Sequence, residues 1–226
     1  MHVCMVAFTD LRFDARIYRE ATALQDAGHR ISIVATSFAG AASSTPWQRF
    51  ETHLIPVDRN RSLRVLYPTF WWRAERVLAA LAADVYHAHD LDALWPAARA
   101  ATRLGALLVY DSHEFWTEQS GVVNRPKIRQ FWVWLERRLV RQVHHTITVS
   151  KGIKEALEGR YQLEGVTVLR NMPVFREPVA SNRIRETLGL DDRRAVVLYQ
   201  GGFLTENGLM EQIDAAALFD AAVLVL

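Results

Sequence analysis

The sequence predicts an α/β protein, a doubly wound, Rossmann-like parallel sheet followed by the opening of a second sheet of the same kind. Three observations carry this. Short β-rich apolar runs alternate with longer stretches of helical spacing along nearly the whole chain. The runs are close to continuously apolar, as strands covered on both faces must be. The residues that follow them are polar and often charged, as expected where strands end in the crevice of an open parallel sheet.

Taken in order, residues 3–8 read as a buried strand. A polar turn follows, then a helix with Ile17, Ala21 and Leu24 on one face, ended by Gly28. Residues 31–35 are the next strand and 54–57 a weaker third. Leu66, Phe70, Ala74, Val77 and Leu81 form a second helical stripe. Strands at 84–89, 107–111, 146–150 and 166–169 continue the series, each followed by helix or loop. After Asn171 the periodicity stops, and Asn171-Met172-Pro173 and Arg176-Glu177-Pro178 punctuate a linker. The expected organisation is a first domain over 1–172, a linker over 173–194 and the start of a second domain over 195–226. That start comprises a strand at 195–199, a tight turn at Gly201-Gly202, a helix at 209–219 and a strand at 222–226. A final apolar strand leaves an edge and both faces uncovered, so the domain is expected to continue past Leu226.

Composition bounds the function. Of 226 residues, 50% are hydrophobic and 23% charged, which excludes a disordered chain and allows a proper core. The net charge of +2 gives no general attraction to nucleic acid. Cys4 has no second cysteine to pair with, which points to a reducing compartment. No stretch approaches the roughly 20 apolar residues of a membrane span. Residues 1–8 are too short an apolar run for a secretory signal and lack a basic leader, so a cytoplasmic protein is expected.

The strand-end positions are residues 9–16, 87–92, 111–114, Ser150-Lys151 and Gly201-Gly202. They bring His87, His89 and His113 to one edge with Asp90, Asp92, Asp111 and Glu114. His113 is the candidate functional histidine. His87 is read as a structural residue, facing away from His89 by strand alternation.

Six segments in order resemble the retaining glycosyltransferases of family 4, whose GT-B architecture sets two doubly wound domains across a cleft. They are Asp14-Ala15-Arg16-Ile17 through Ala27-Gly28-His29, Asp84-Val85-Tyr86-His87-Ala88-His89-Asp90, and Tyr110-Asp111-Ser112-His113-Glu114. Thr146-Ile147-Thr148-Val149-Ser150, Val168-Leu169-Arg170-Asn171 and Leu198-Tyr199-Gln200-Gly201-Gly202 complete the series. The resemblance implies transfer of a sugar from a nucleotide diphosphate donor to an acceptor hydroxyl with its configuration kept, in cell-surface polysaccharide or glycolipid synthesis. No cofactor or metal is implied. It also implies that His113 is the catalytic histidine, making polar contact with the reacting sugar. Asp14, Arg16, His89, Asp90 and Glu114 are the weaker choices for acceptor-side contacts. Gly201 and Gly202 match the family's glycine turn for the donor diphosphate.

The donor side departs from the family pattern. Thr205-Glu206-Asn207-Gly208 offers no cation where one is expected, and Glu206 and Asp214 read as a solvated helix face rather than the family's paired glutamates. The chain is therefore expected not to catalyse transfer alone. Two alternatives are a non-catalytic module holding a sugar or lipid-linked acceptor, and a GT-B nucleotide-sugar epimerase. Asp90-Leu91-Asp92 has the Asp-x-Asp form by which another sugar-transferase fold holds a divalent metal, but its place at a helix start favours capping. No cysteine or histidine spacing suggests zinc, and no Gly-x-Gly-x-x-Gly follows the first strand.

Two segments, 59–76 with Trp71 and Trp72 and 125–141 with Trp132 and Trp134, are basic and tryptophan-rich. In the second, Ile128, Phe131, Trp132, Leu135 and Leu139 make the core face and Arg129, Arg137, Arg138 and Arg141 point outward. The two readings are a solvated helix face and a patch for anionic lipid, which would hold the protein on the inner face of the plasma membrane.

Overall fold

The computed structural model describes residues 1–226 apart from 39–44, 59, 174, 192 and 204–207. Its contacts divide the chain into two units, Met1–Met172 and Pro173–Leu226. In the first, the strands are β1 (His2–Asp10), β2 (Arg30–Phe38), β3 (Glu51–Val57), β4 (Val85–His89), β5 (Leu107–Ser112), β6 (His145–Thr148) and β7 (Thr167–Val168). The helices between them are α1 (Ala15–Asp26), α2 (Leu63–Leu81), α3 (Leu91–Leu104), α4 (Ser120–Val123), α5 (Pro126–Leu139) and α6 (Lys151–Tyr161). All pairings are parallel, in the order β3-β2-β1-β4-β5-β6-β7. The chain winds outward from β1 to β3, returns to lay β4 beside β1, and winds outward again the other way. That reversal opens a crevice beyond the carboxyl ends of β1 and β4.

Each face of the sheet has its own core. Cys4, Val6, Tyr86, Ala88, Leu108 and Tyr110 pack under α2, α3 and α5 with Phe70, Leu78, Leu94 and Leu135. Met5, Ala7, Ile31 and Ile33 pack on the other side under Ile17 and Ala21 of α1. Register decides the site: Met5 pairs with His87, Ala7 with His89, and His89 with Asp111, so these polar residues lie on the α1 face. Residues two apart on a strand share a face. His87 and His89 therefore point the same way, contrary to the expectation that they face apart.

On α5, Trp132, Leu135 and Leu139 are buried as expected, but Phe131 is 43% exposed. Glu136 is buried among them instead, its two oxygens accepting from the Tyr110 hydroxyl at 2.8 Å and the Tyr161 hydroxyl at 2.5 Å. Arg129 is not a free outward arginine either. It donates to Glu118 at 2.6 Å, sharing that carboxylate with Arg160 at 2.7 Å.

The second unit holds α7 (Arg183–Leu188), β8 (Ala195–Leu198), α8 (Leu209–Ala216) and β9 (Ala222–Val225), with β8 and β9 paired in parallel. The helix α7 stands inside the stretch expected to be linker, ended by Gly189 at φ 62°. Thr205, Glu206 and Asn207 lie outside the described residues. No helix is long and apolar enough, among the described residues, to cross a membrane.

Phe70 is fully buried at the centre of the α2 layer. Phe70→Ala is expected to lower unfolding free energy by about 3–5 kcal/mol in urea titrations, the range for a core aromatic truncation. A loss under ~1 kcal/mol would mean that α2 does not close this core.

Candidate functional site

The crevice gathers one arginine, three carboxylates and three histidines from α1, β4, β5 and the residues that follow the two strands. Asp14 caps α1, accepting the Ile17 N–H at 3.0 Å, and so fixes where the helix begins. Arg16, in the first turn, is 4% exposed and reaches the end of β5. Its Nη2 donates to both Asp111 oxygens at 2.9 and 2.8 Å, its Nε to Oδ2 at 3.1 Å, and its Nη1 to the Leu169 carbonyl at 2.8 Å. Glu20 follows on the same helix face, Oε1 lying 2.9 Å from Arg16 Nε.

His87 and His89 stack with ring centroids 4.3 Å apart. His113 Nε2 faces Asp111 Oδ2 at 3.0 Å and His89 Nδ1 at 3.1 Å. A proton on His113 Nε2 satisfies both contacts, with His89 Nδ1 as an acceptor. Asp90 grips His113 from the other side. Its Oδ1 accepts the backbone N–H of His113 at 2.9 Å and of Glu114 at 3.4 Å, and its Oδ2 is 3.5 Å from His113 Nδ1.

Asp90 occupies the N-terminal position of α3, yet its side chain makes no capping bond, which corrects the capping reading. Its backbone lies at φ 64° and ψ 169°, a region nearly reserved for glycine that costs a side-chain-bearing residue about 1–3 kcal/mol. This strain turns the carboxylate away from the helix and toward His113. Asp92 is buried on the first turn of α3 and takes no part in the cluster.

The charges sort themselves by partner. Burial opposes the charge on Asp111, but the hydrogen bond from His113 and the positive charge of Arg16 beside it outweigh burial and hold this carboxyl low. Burial also opposes a proton on His113, yet the hydrogen bond to Asp111 and the Asp90 and Asp111 charges win, and His113 is raised. His87 and His89 have no such compensation. Burial lowers His87 to about 4, and burial together with the neighbouring His87 and His113 drives His89 well down. Burial raises Asp90 to about 6 against the opposing pull of His113. The three histidines thus divide by direction: a proton is favoured on His113 and disfavoured on His87 and His89.

Glu20, His87, His89 and Asp111 are ligand types for a divalent metal, and one donor atom from each falls within 4.8 Å of the others. The fit fails at Asp111. Its Oδ2 already accepts from Arg16 Nε, Arg16 Nη2 and His113 Nε2, and the guanidinium supplies the positive charge that a metal would bring.

Of the sequence-derived candidates, the structure brings Arg16, His89, Asp90 and His113 together. Asp14 is occupied as a cap, and the side chain of Glu114 is exposed, its residue joining the site through the backbone N–H. Gly201 and Gly202 belong to the second unit. There the Tyr199 hydroxyl donates to the Gly202 carbonyl at 2.7 Å, and a Cβ on Gly201 would come within 3.1 Å of the same hydroxyl. Sequence reasoning missed Glu20. Its spacing of four from Arg16 was the available signal, but the same spacing occurs on any solvated helix.

Residues 14–172 match the model of the Glycosyl transferase 4-like domain, which takes in the whole of this cluster. The chain belongs to that family. Its fold is similar to that of sucrose-phosphate synthase (tll1590) from Thermosynechococcus elongatus, at 14% identity and TM-score 0.67, with 99% of this chain and 61% of that one covered. It is likewise similar to Anabaena Alr3699/HepE, solved in complex with UDP and glucose, at 18% identity and TM-score 0.68, with 99% and 60% covered. A UDP-N-acetylglucosamine 2-epimerase shares the fold at 11% identity and TM-score 0.58, with 99% and 62% covered. The chain thus spans about 60% of the length of these structures, and at such identities the likeness shows the GT-B fold. A sequence search of curated proteins returned no match.

Removing one partner of a buried ion pair strands the other. Arg16→Met is therefore expected to cost about 3–5 kcal/mol of stability, and adding Asp111→Asn should recover a substantial part of it. Urea unfolding of the two single variants and the double variant measures this. Strict additivity would show that the pair is not the structural unit described.

Proposed function

We propose that this chain is the acceptor-side part of a retaining glycosyltransferase that uses a nucleotide diphosphate sugar and needs no metal or other cofactor. The observation that carries the reading is His113: an imidazole held between Asp111 and Asp90 at the carboxyl ends of the strands, its protonation favoured by both carboxylates, within the family-matched region. Transfer leaves negative charge on the departing diphosphate and positive character on the sugar ring, so a preorganised polar group at the reacting sugar lowers the barrier. His113, 15% exposed at its side chain, is placed to make that contact, while Asp111 and Asp90 fix its orientation. Arg16 acts through Asp111. The exposed carboxylate of Glu114 is proposed to meet an acceptor hydroxyl, and Gly201-Gly202 the donor diphosphate. The presence of UDP in the Anabaena structure supports a nucleotide-sugar donor, and the acceptor is proposed to be a sugar or lipid-linked sugar of a surface polysaccharide or glycolipid.

The test is a screen of nucleotide sugars with product detection, on the whole enzyme, its His113→Ala variant and residues 1–226 alone. The variant is expected to lose about 100-fold or more in turnover with its fold intact, and the 226-residue chain to transfer no sugar. Undiminished turnover without the imidazole would overturn the assignment of His113.

A peripheral, cytoplasmic-face membrane contact is the second part of the proposal. Arg137 and Arg138 at the end of α5, and Arg141 in the turn that follows, are exposed, as is Trp134 at 55%. The Thr102 to Gln142 contact of 3.1 Å links this end to α3. A groove of about 320 Å³ between α2 and α3 is lined by Trp72, Glu75, Arg76, Arg99 and Arg103. Each arginine near an anionic surface adds about 1 kcal/mol of attraction, so a few suffice for reversible attachment. Co-sedimentation with phosphatidylserine vesicles is expected at low salt and to be lost at high salt or when Arg137, Arg138 and Arg141 are changed together to Gln. Binding that ignores both changes would leave these arginines as plain surface.

A further inference from the structure

Glu20 and Asp111 share one guanidinium, and it is not shared equally. The N–H groups of Arg16 are directed to Asp111 and to the Leu169 carbonyl. Glu20 Oε1 lies near Arg16 Nε, but that N–H points at Asp111, and neither Glu20 oxygen accepts a hydrogen bond. A buried carboxylate anion without a donor is strongly unfavourable. Two imidazole nitrogens face Glu20 Oε2: His89 Nδ1 at 3.9 Å, already bonded to His113, and His87 Nε2 at 4.0 Å, buried and without a hydrogen-bond partner on a side chain 8% exposed. Two orphaned atoms of complementary chemistry thus face each other across a gap that closing by about 1 Å turns into a hydrogen bond.

We propose that Glu20 and His87 form a neutral buried pair holding one proton, on Glu20 Oε2 with His87 Nε2 as its acceptor, and that Glu20 thereby positions His113. With Glu20 uncharged, Arg16 is left whole to Asp111, and Asp111 keeps its charge for His113. The positioning role rests on the reading of His113 as the group that meets the sugar; the proton assignment does not.

The charged and titratable groups around Glu20 are Arg16 on α1, His87 and His89 on β4, and Asp111 and His113 at the end of β5, with Asp90 behind His113. Burial, the Asp111 charge and, to a smaller extent, a hydrogen bond from the protonated Glu20 carboxyl to Asp111 raise Glu20 to about 8 against Arg16 and His113, while burial lowers His87 to about 4. Both directions leave the proton on the carboxyl at neutral pH. The consequence is a stability profile of unusual sign. Between about 4.5 and about 8 the folded chain keeps a proton on Glu20 that the unfolded chain releases, so this residue makes stability fall as pH rises through that window.

The experiment compares urea unfolding of the 226-residue chain and its Glu20→Gln variant from pH 5 to 9, with nitrogen NMR of the histidine rings. The amide mimics the neutral acid, so the variant is expected to gain on the parent by up to about tenfold in unfolding constant per pH unit, levelling off above pH ~8. The His113 titration should stay in place in Glu20→Gln and fall in Asp111→Asn. A variant that instead loses ground as pH rises, or whose His113 pKa drops by about a unit, would mean that Glu20 is a carboxylate paired with Arg16, and the proposal is overturned. Should the variant fail to fold, the parent decides: His87 must read as a neutral imidazole throughout, and a protonated His87 beside Glu20 refutes the assignment. No readout uses sugar transfer, so failure here leaves the glycosyltransferase reading standing, and the reverse holds too.

Discussion

Arg16 and Asp111 are 95 positions apart in sequence and are joined by the hydrogen bonds of one guanidinium. The pair ties the first turn of α1 to the end of β5 across the ends of β1 and β4, where the winding of the sheet reverses. The proton on His113 is favoured through that bond. With Asp111 ionised and fixed, His113 gains a partner for its proton; His87 and His89, stacked in the same buried space, find none and stay neutral. A desolvated ion pair is seldom a net source of stability. Its value here is geometric, since two planar groups meeting in this way allow little rotation of either.

The backbone of Asp90 belongs to the same logic. An ordinary helix start would let this carboxylate cap α3. Held instead at a φ and ψ that favour glycine, it turns back to the loop after β5 and receives two backbone N–H groups there. Strain at this position is balanced by the order that it gives to His113. The site is thus preorganised by contacts from α1, β4 and β5, which suits chemistry in which charge develops at a fixed place.

The other face of the sheet does different work. Its core under α2, α3 and α5 is aliphatic and aromatic, and it encloses Glu136 with its two tyrosine hydroxyls. Polar chemistry and bulk stability are therefore kept on opposite sides of one layer. Substitutions on the two faces should act independently, as sites without shared partners usually do.

The alternation of apolar runs and helical stripes was enough to predict the parallel sheet, because periods of 2 and 3.6 are written directly in the order of residues. Strand ends were legible for the same reason, and they marked His89, Asp90, Asp111 and His113 before any contact was known. What the sequence alone did not determine was partnership. That Arg16 pairs with Asp111 depends on strand order, and that Glu20 joins them depends on which face of α1 meets the sheet. The facing of Arg129 was equally hidden, since Glu118 and Arg160 reach it from elsewhere in the chain. His87 was different: period 2 already placed it beside His89, and only the stacked rings made that plain. Local periodicity fixes which elements form and which side chains share a face. Tertiary register alone decides which charges meet, because the energy of a buried charge depends on partners that sequence distance does not reveal.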